Sequence, residues 1–235
     1  MNLVGLCLLS VVAVLAFFKV GRRVFERICI KEFVLFLFVL ALSMGILIPS
    51  IAVGENVFIS IGGFIVPILF VLVMLYVSGV RKQIFSFGLT VLIVAALTVA
   101  MRAVIRPENI AFFIMNAVLT GLIAGAAAFF VGKGRTVIIT GSISGIIIGD
   151  VVNNLMARFI YEIPPHFGGY GTFDTFLIAA IFGIVLAEIV EFVKARQVSK
   201  RVSLPALNFE TSEDSAIVQA EKKLDKEIFG VFDGE

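Results

Sequence analysis

The stretch TVIITGSISGIIIGDVVNNLMARFIY, Thr136–Tyr161, limits the folds that this chain can adopt. A bilayer core about 30 Å thick is crossed by roughly 20 residues in a helix, and this largely apolar run is long enough. In lipid, the backbone polar groups have to be paired within the segment, and the run is too long and continuous for a barrel strand. It therefore predicts a membrane-spanning helix, one that carries a carboxylate, Asp150.

Six more runs of similar length and composition surround it. The chain is 60% hydrophobic and 15% charged, with a mean hydropathy of +1.11, whereas soluble proteins are about 45–50% apolar and about 25% charged. The sequence thus predicts an all-α, polytopic transmembrane bundle of about seven spans in residues 1–193, followed by a charged tail in residues 194–235. The other spans are expected at Leu3–Val20, Phe33–Val53, Phe58–Ser78, Phe85–Ile105, Ile110–Val131 and Phe173–Val193.

The basic residues predict the orientation in a cell membrane. If the N-terminus is outside, every inner loop and the tail carry lysine or arginine, and only Arg102, Arg106 and Arg158 lie toward the outer side. An excess of basic residues on the cytoplasmic side is typical of membrane proteins. We therefore expect a multi-pass protein with its N-terminus outside and its C-terminus in the cytoplasm.

The tail has a different composition from the spans. Residues 205–235 carry eight acidic residues against three lysines, and Ile217, Leu224 and Ile228 recur at helical spacing after Thr211 and Asp214, which resemble a capping pair. This amphipathic helix could lie on the protein's own inner loops or dock a cytoplasmic protein partner. Beyond the lipid bilayer, the sequence indicates no nucleic-acid partner, because it has no basic run interleaved with aromatic residues. The oligomeric state is not indicated.

Polar residues within the predicted spans converge in the outer half of the membrane. A charged side chain in a span costs about 2.5–3.5 kcal/mol on insertion scales, so such residues usually face a partner or water. Pro49 and Ser50 in the second span are expected at similar depth. The candidate substrate- or ion-binding residues are Asp150, Asp174, Arg102, Arg106, Asn116, Asn153 and Asn154.

Each candidate also has a structural interpretation. Asp150 could form an ion pair with Arg102 that fixes helix packing. Asp174 follows Thr172, a good N-cap, so it could simply complement the dipole of the seventh helix. The asparagines could hydrogen-bond neighbouring helices.

Two glycine patterns accompany these residues. Gly141, Gly145 and Gly149 recur every fourth residue, a stripe that lets another helix approach closely. The segment GGYGTFD, Gly168–Asp174, is either an ordinary turn or a re-entrant element that dips back into the protein.

The third span has its own irregularity. Gly62, Gly63 and Pro67 predict an irregular or kinked stretch in its outer half.

No cofactor or metal is indicated. His166 is the only histidine and has no second histidine or cysteine nearby, so we expect no metal site. Cys7 and Cys29 are predicted on opposite sides of the membrane and cannot pair within one chain. Catalytic residues are not identifiable from any motif.

Two segments resemble a known family. SIGGFIVPILF, Ser60–Phe70, and GGYGTFDTFLIAAI, Gly168–Ile181, resemble a bacterial and archaeal family of uncharacterised multi-pass membrane proteins, classed only as a domain of unknown function. The resemblance covers most of the membrane region without the tail. It implies a fold and no activity.

Three functions fit these observations. The first is transport of a small solute or ion through the polar site, and the second is a non-catalytic scaffold or accessory subunit that recruits a partner through its tail. The third is an intramembrane aspartyl hydrolase using Asp150 and Asp174. Its similarity to presenilin-type proteases is weak, because Gly149-Asp150 keeps only two motif positions and Phe173 replaces the tyrosine before Asp174. If the sixth helix continues to Tyr161, the two aspartates meet only where the glycine segment dips back.

Overall fold

A computed structural model describes residues 32–53, 57–77, 83–104, 110–169 and 171–196. About 85% of these residues are helical. The helices are α1 (Glu32–Leu47), α2 (Val66–Val77), α3 (Ile84–Val104), α4 (Ile110–Val131), α5 (Arg135–Tyr161) and α6 (Gly171–Arg196). A π-helical turn, Ile61–Ile65, leads directly into α2, and the short strands are β1 (Ile51–Ala52), β2 (Phe58–Ile59) and β3 (His166–Phe167). The first predicted span, both cysteines, Arg106 and the tail helix lie outside the described residues.

Four of the described helices are long and apolar enough to cross a membrane. They are α3, α5, α6 and, within α4, the segment Phe112–Val131. The apolar helix formed by the π-helical turn and α2 is shorter. These four helices support an integral membrane protein, while the total of seven spans stays a prediction.

The second and third predicted spans are less regular than expected. The helix of the second span ends at Leu47 and not near Val53, since the chain meets Pro49, which has no N–H to donate to a helix, and continues as β1. Phe58 was expected to begin a helix, but it lies in β2. Ser60, with extended backbone, then caps the π-helical turn by accepting a hydrogen bond from the amide of Gly63 (3.3 Å). The irregular stretch predicted from the glycines is thus confirmed as a π-helical turn.

The strands connect two distant parts of the chain. β2 pairs antiparallel with β1 and parallel with β3, so that Phe58 lies beside His166. The amide of Phe58 also donates to the carbonyl of Pro165, and that of Ser60 to the carbonyl of Phe167, each at 3.0 Å. The α1–α2 connection is thereby joined to the α5–α6 connection. We call this part of the helix bundle the strand end.

Helices α3 and α5 pack along the predicted glycine stripe. A Cβ on Gly141 would lie 2.7 Å from Thr90, one on Gly145 2.6 Å from Val94, and one on Gly149 2.7 Å from Thr98. Both helices advance by four residues from one contact to the next, so they run parallel in constant register. The structure confirms that the stripe permits a close helix approach.

A second close approach joins α4 and α6. A Cβ on Gly125 would lie 2.6 Å from the carbonyl oxygen of Ala179, and one on Gly121 would lie 2.8 Å from the side chain of Ile178. Away from the strand end, Arg135 Nε and Glu188 Oε1 form an ion pair at 2.6 Å. These contacts hold the four long helices around one core.

The chain divides into two compact units, Met1–Glu188 and Ile189–Glu235. Of the second unit, the structure describes residues 189–196, the end of α6. The site described below belongs to the first unit.

Candidate functional site

The centre of the site is an ion pair between α3 and α5. Gly149 packs against Thr98, and Arg102 lies one helical turn beyond Thr98, so its side chain reaches Asp150. Arg102 Nη1 lies 2.5 Å from Asp150 Oδ1. The carboxylate is buried, 2% exposed, whereas the arginine side chain is 26% exposed. The structure thus contains the predicted ion pair, with the cation as its more accessible member.

Thr172 completes a three-residue network with this pair. Its hydroxyl accepts a hydrogen bond from Arg102 Nη2 (2.8 Å) and donates one to Asp150 Oδ1 (2.7 Å). The sequence suggested Thr172 as the N-cap of the last helix, but α6 begins one residue earlier, at Gly171. The hydroxyl of Thr172 therefore connects α6 to the charged pair.

The second carboxylate oxygen of Asp150 holds the α5–α6 connection. The amide of Gly168 donates to Asp150 Oδ2 at 2.9 Å. Since α5 continues three turns past Asp150, about 16 Å, to Tyr161, the chain has to return by a similar distance to make this bond. The connection therefore dips back into the protein, which agrees with the re-entrant alternative.

Glycine is needed where this connection meets the π-helical turn. Gly168 has φ +68°, a conformation that other residues rarely adopt. A Cβ on Gly168 would lie 2.6 Å from the carbonyl carbon of Gly63, and a Cβ on Gly63 would overlap the carbonyl oxygen of Gly168. The two backbones are in direct contact, and any side chain at either position would separate them.

Asn154 and His166 fix the other side of the same connection. Asn154 Nδ2 donates to the carbonyl of Asp150 (2.9 Å), while its Oδ1 accepts from the amide of His166 (3.1 Å). The ring nitrogen Nε2 of His166 is hydrogen-bonded to the hydroxyl of Ser50 (3.0 Å). Ser50, predicted at this depth, thereby connects the end of α1 to the site.

A cavity of about 370 Å³ lies against this network. It is formed by residues of α3, α4, α5, α6 and the returning connection, and its lining includes Phe113, which is 37% exposed. Its volume is at the lower end of the range for small-ligand sites. The lining residues are Arg102, Phe113, Asn116, Ala117, Thr120, Asp150, Asn154, His166, Gly169, Gly171, Thr172 and Thr175.

The structure brings together four of the seven predicted site residues: Asp150, Arg102, Asn116 and Asn154 all line the cavity. Asn153 instead donates its amide to the carbonyl of Gly149 (2.9 Å), on its own helix.

Asp174 and Arg106 complete the predicted set. Asp174 is buried but is not among the cavity-lining residues. Arg106 lies outside the described residues.

Sequence reasoning did not identify four polar members of the site. Thr120 and Thr175 lie within apolar helices, where a threonine hydroxyl commonly bonds its own helix, and they carry no special signal. His166 was considered only as a metal ligand and Thr172 only as a cap. The proline- and glycine-rich sequence around His166 and Thr172 was the available signal.

Asp150 acts as a fixed counter-ion within the described structure. Its two oxygens accept hydrogen bonds from Arg102, Thr172 and Gly168, and Asp174 is not among the donors. Such a carboxylate neutralises the guanidinium and holds three chain segments together. Among the described residues, no group of three His, Cys, Asp or Glu side chains could hold a metal ion.

Membrane-length helices around a buried, hydrogen-bonded ion pair define an integral membrane protein with a polar site between its helices. The chain belongs to the family described as protein of unknown function (DUF1614), which matches residues 22–186. This range contains both segments that carried the resemblance, so the family prediction is confirmed. No curated protein and no solved structure matches the chain.

Proposed function

We propose that this protein transports a small polar solute across the membrane, and that the cavity at the strand end is its binding site. The observation that carries the proposal is the cavity itself, where Arg102, Asn116, Asn154 and His166 converge from different helices and the returning connection. Ionisable and amide side chains are rare among membrane-spanning helices, and they commonly mark a substrate pathway.

The irregular backbone around the cavity supports the same function. The π-helical turn and the returning connection are non-α-helical segments beside four membrane-length helices. Such backbone is tolerated at membrane depth where protein or a water-filled cavity covers it, and substrate sites of transporters are often built from it. With the predicted orientation, the cavity faces the outside.

Asp150 has a supporting role in this proposal. Because its carboxylate is buried and accepts three hydrogen bonds, it serves as the counter-ion and anchor of Arg102 and not as the cation site. The hydrolase alternative lacks support, since the hydrogen bonds at Asp150 come from residues other than Asp174. The scaffold alternative depends on the acidic part of the tail, residues 205–235, which lies outside the described residues.

Reswelling of proteoliposomes tests transport. Vesicles mixed with a hyperosmotic solution shrink and then reswell as solute enters, and light scattering follows this at millisecond resolution. The panel would contain glycerol, urea, potassium lactate and lactamide, with valinomycin to remove any membrane potential. We expect at least one solute to enter several-fold faster than in vesicles without protein.

Two variants of α4 connect that flux to the cavity. Ala117 is buried and lines the cavity, so Ala117→Leu should fill part of it and suppress the flux. Ala126 is half-buried on the same helix and does not line the cavity, so Ala126→Leu should keep the wild-type rate. Equal reswelling with and without the wild-type protein for every solute would contradict the proposal.

A further inference from the structure

Of the two charges in the ion pair, the positive one is the more exposed. Arg102 and Asp150 both line the cavity, but the guanidinium side chain is 26% exposed and the carboxylate only 2%. Hydrogen bonds from Thr172 and from the amide of Gly168 also stabilise the negative charge of the Asp150 carboxylate. A solute in the cavity therefore meets the cation first.

Several hydrogen-bond donors that line the cavity are already used within the protein. The hydroxyls of Thr120 and Thr175 donate to Asn116 Oδ1 and to the carbonyl of Gly171, and the amide of Asn154 donates to the carbonyl of Asp150. A guanidinium has five N–H groups. Within the described part of the chain, Arg102 directs one to Asp150 and one to Thr172. The others can bind an acceptor on the solute.

The beginning of α6 also lies at the cavity, where the buried carboxylate of Asp174 in the first turn offsets part of the helix dipole. Gly169 and Gly171 line the cavity where this helix starts. The N-terminus of a helix carries a partial positive charge that favours anions. With one arginine that already has a counter-ion, the site suits a single negative charge better than a dianion.

We infer that the solute is a small monocarboxylate whose carboxylate group binds the guanidinium of Arg102. Arginine pairs with carboxylates through strong, charge-assisted hydrogen bonds, often two at once. The cavity of about 370 Å³ limits the rest of the solute to a few heavy atoms. This inference rests on the proposed function and adds to it the chemical class of the solute.

Binding to the purified protein in phosphatidylcholine nanodiscs tests the inference. Isothermal titration calorimetry would compare acetate, lactate and pyruvate with acetamide, lactamide and pyruvamide, which have nearly the same shape without the charge. Inorganic phosphate and nanodiscs containing phosphatidylglycerol form two further arms. We expect at least one carboxylate to bind at least tenfold more tightly than its amide, with phosphate weaker than that carboxylate.

Variants then assign the binding to the site. Arg102→Lys retains a positive charge but not the planar pair of donors, so the carboxylate affinity should fall at least tenfold. Ala117→Leu should weaken binding comparably, while Ala126→Leu should leave the affinity unchanged. Thermal unfolding of each variant in the same nanodiscs identifies a loss of binding that results from misfolding.

Several results would overturn the inference. Equal affinity for carboxylates and amides, or no binding of either, would exclude recognition of the charge. Tighter binding of phosphate would replace the carboxylate by a phosphate group, and displacement of lactate by phosphatidylglycerol would identify that group as a lipid headgroup. If glycerol or urea still entered proteoliposomes in an Ala117→Leu-sensitive manner, the proposed transport would stand and only the solute class would be wrong.

Discussion

Gly149 lies against Thr98, and this contact sets the position at which Arg102 meets Asp150. A Cβ on Gly149 would lie 2.7 Å from Thr98 Cβ and 3.1 Å from the carbonyl oxygen of Ala95. Asp150 is the next residue on α5, and Arg102 is one turn further along α3. The helix packing and the charged site therefore depend on the same few atoms.

Gly149→Ala should destabilise the protein by about 1–3 kcal/mol, because the methyl group overpacks the contact between α3 and α5. Thermal unfolding in detergent micelles measures the loss. Gly88→Ala is the matched control, since Gly88 lies on α3 with no atom within 4 Å of an added Cβ. It should be neutral or stabilising by up to about 1 kcal/mol, as alanine is the better helix former. Equal effects of both substitutions would contradict a tight contact between α3 and α5 at Gly149.

Asp150→Asn should cost about 2–4 kcal/mol, because it leaves the partly buried guanidinium of Arg102 without a counter-charge. Adding Arg102→Gln should recover part of the loss, since the double variant contains no unpaired charge. Chemical unfolding of the two single variants and the double variant gives the coupling between the residues. Strictly additive losses would show that the two side chains do not stabilise each other.

Gly168→Ala should weaken the attachment of the α5–α6 connection by about 1–3 kcal/mol. Alanine is strained at φ +68°, and its Cβ would collide with the backbone of Gly63. Faster hydrogen exchange at Ser60, whose amide donates to the carbonyl of Phe167, would report the loss. Gly169→Ala is the control, because the three atoms nearest to an added Cβ there belong to His166 and not to the π-helical turn. Unchanged exchange at Ser60 in Gly168→Ala would count against this packing.

The predicted orientation is open to a labelling experiment on whole cells. Ile163 lies in the exposed connection at the strand end, and Lys133 lies in the exposed turn between α4 and α5. In a chain whose Cys7 and Cys29 are replaced by serine, Ile163→Cys should react with a membrane-impermeant maleimide on intact cells. Lys133→Cys should react only after permeabilisation, and the reverse pattern would invert the topology.

Much of the helical framework could be predicted from the sequence because lipid leaves few choices. Long apolar runs have to satisfy their backbone as helices, and α3 to α6 lie close to the predicted spans. The glycine stripe likewise specified a close helix contact, although not the partner helix. Both predictions rest on local patterns that need no knowledge of distant residues.

The rest depends on contacts between residues far apart in the chain. Phe58 was expected in a helix, but pairing with His166 provides it with a strand partner. The local sequence predicted Thr172 as an N-cap. In the structure its hydroxyl instead donates to Asp150, a residue far from it in the chain. Asp174 resembled a second catalytic carboxylate by sequence alone. Local propensity carries no information about such partners.

The three-stranded sheet has a consequence for biosynthesis. Ser50 and His166 are hydrogen-bonded although they are 116 positions apart, and β2 is made long before β3. The N-terminal part of a chain is synthesised first, so the amides of Phe58 and Ser60 lack their acceptors until α5 has emerged and the connection after it has turned back. A chain cut short before Pro165 would retain α1 to α5 and would lose both β3 and α6, which contribute His166 and Thr172 to the cavity. The cavity can therefore be completed only after the α5–α6 connection and α6 have been made, and damage to that connection would leave the earlier helices without a complete cavity.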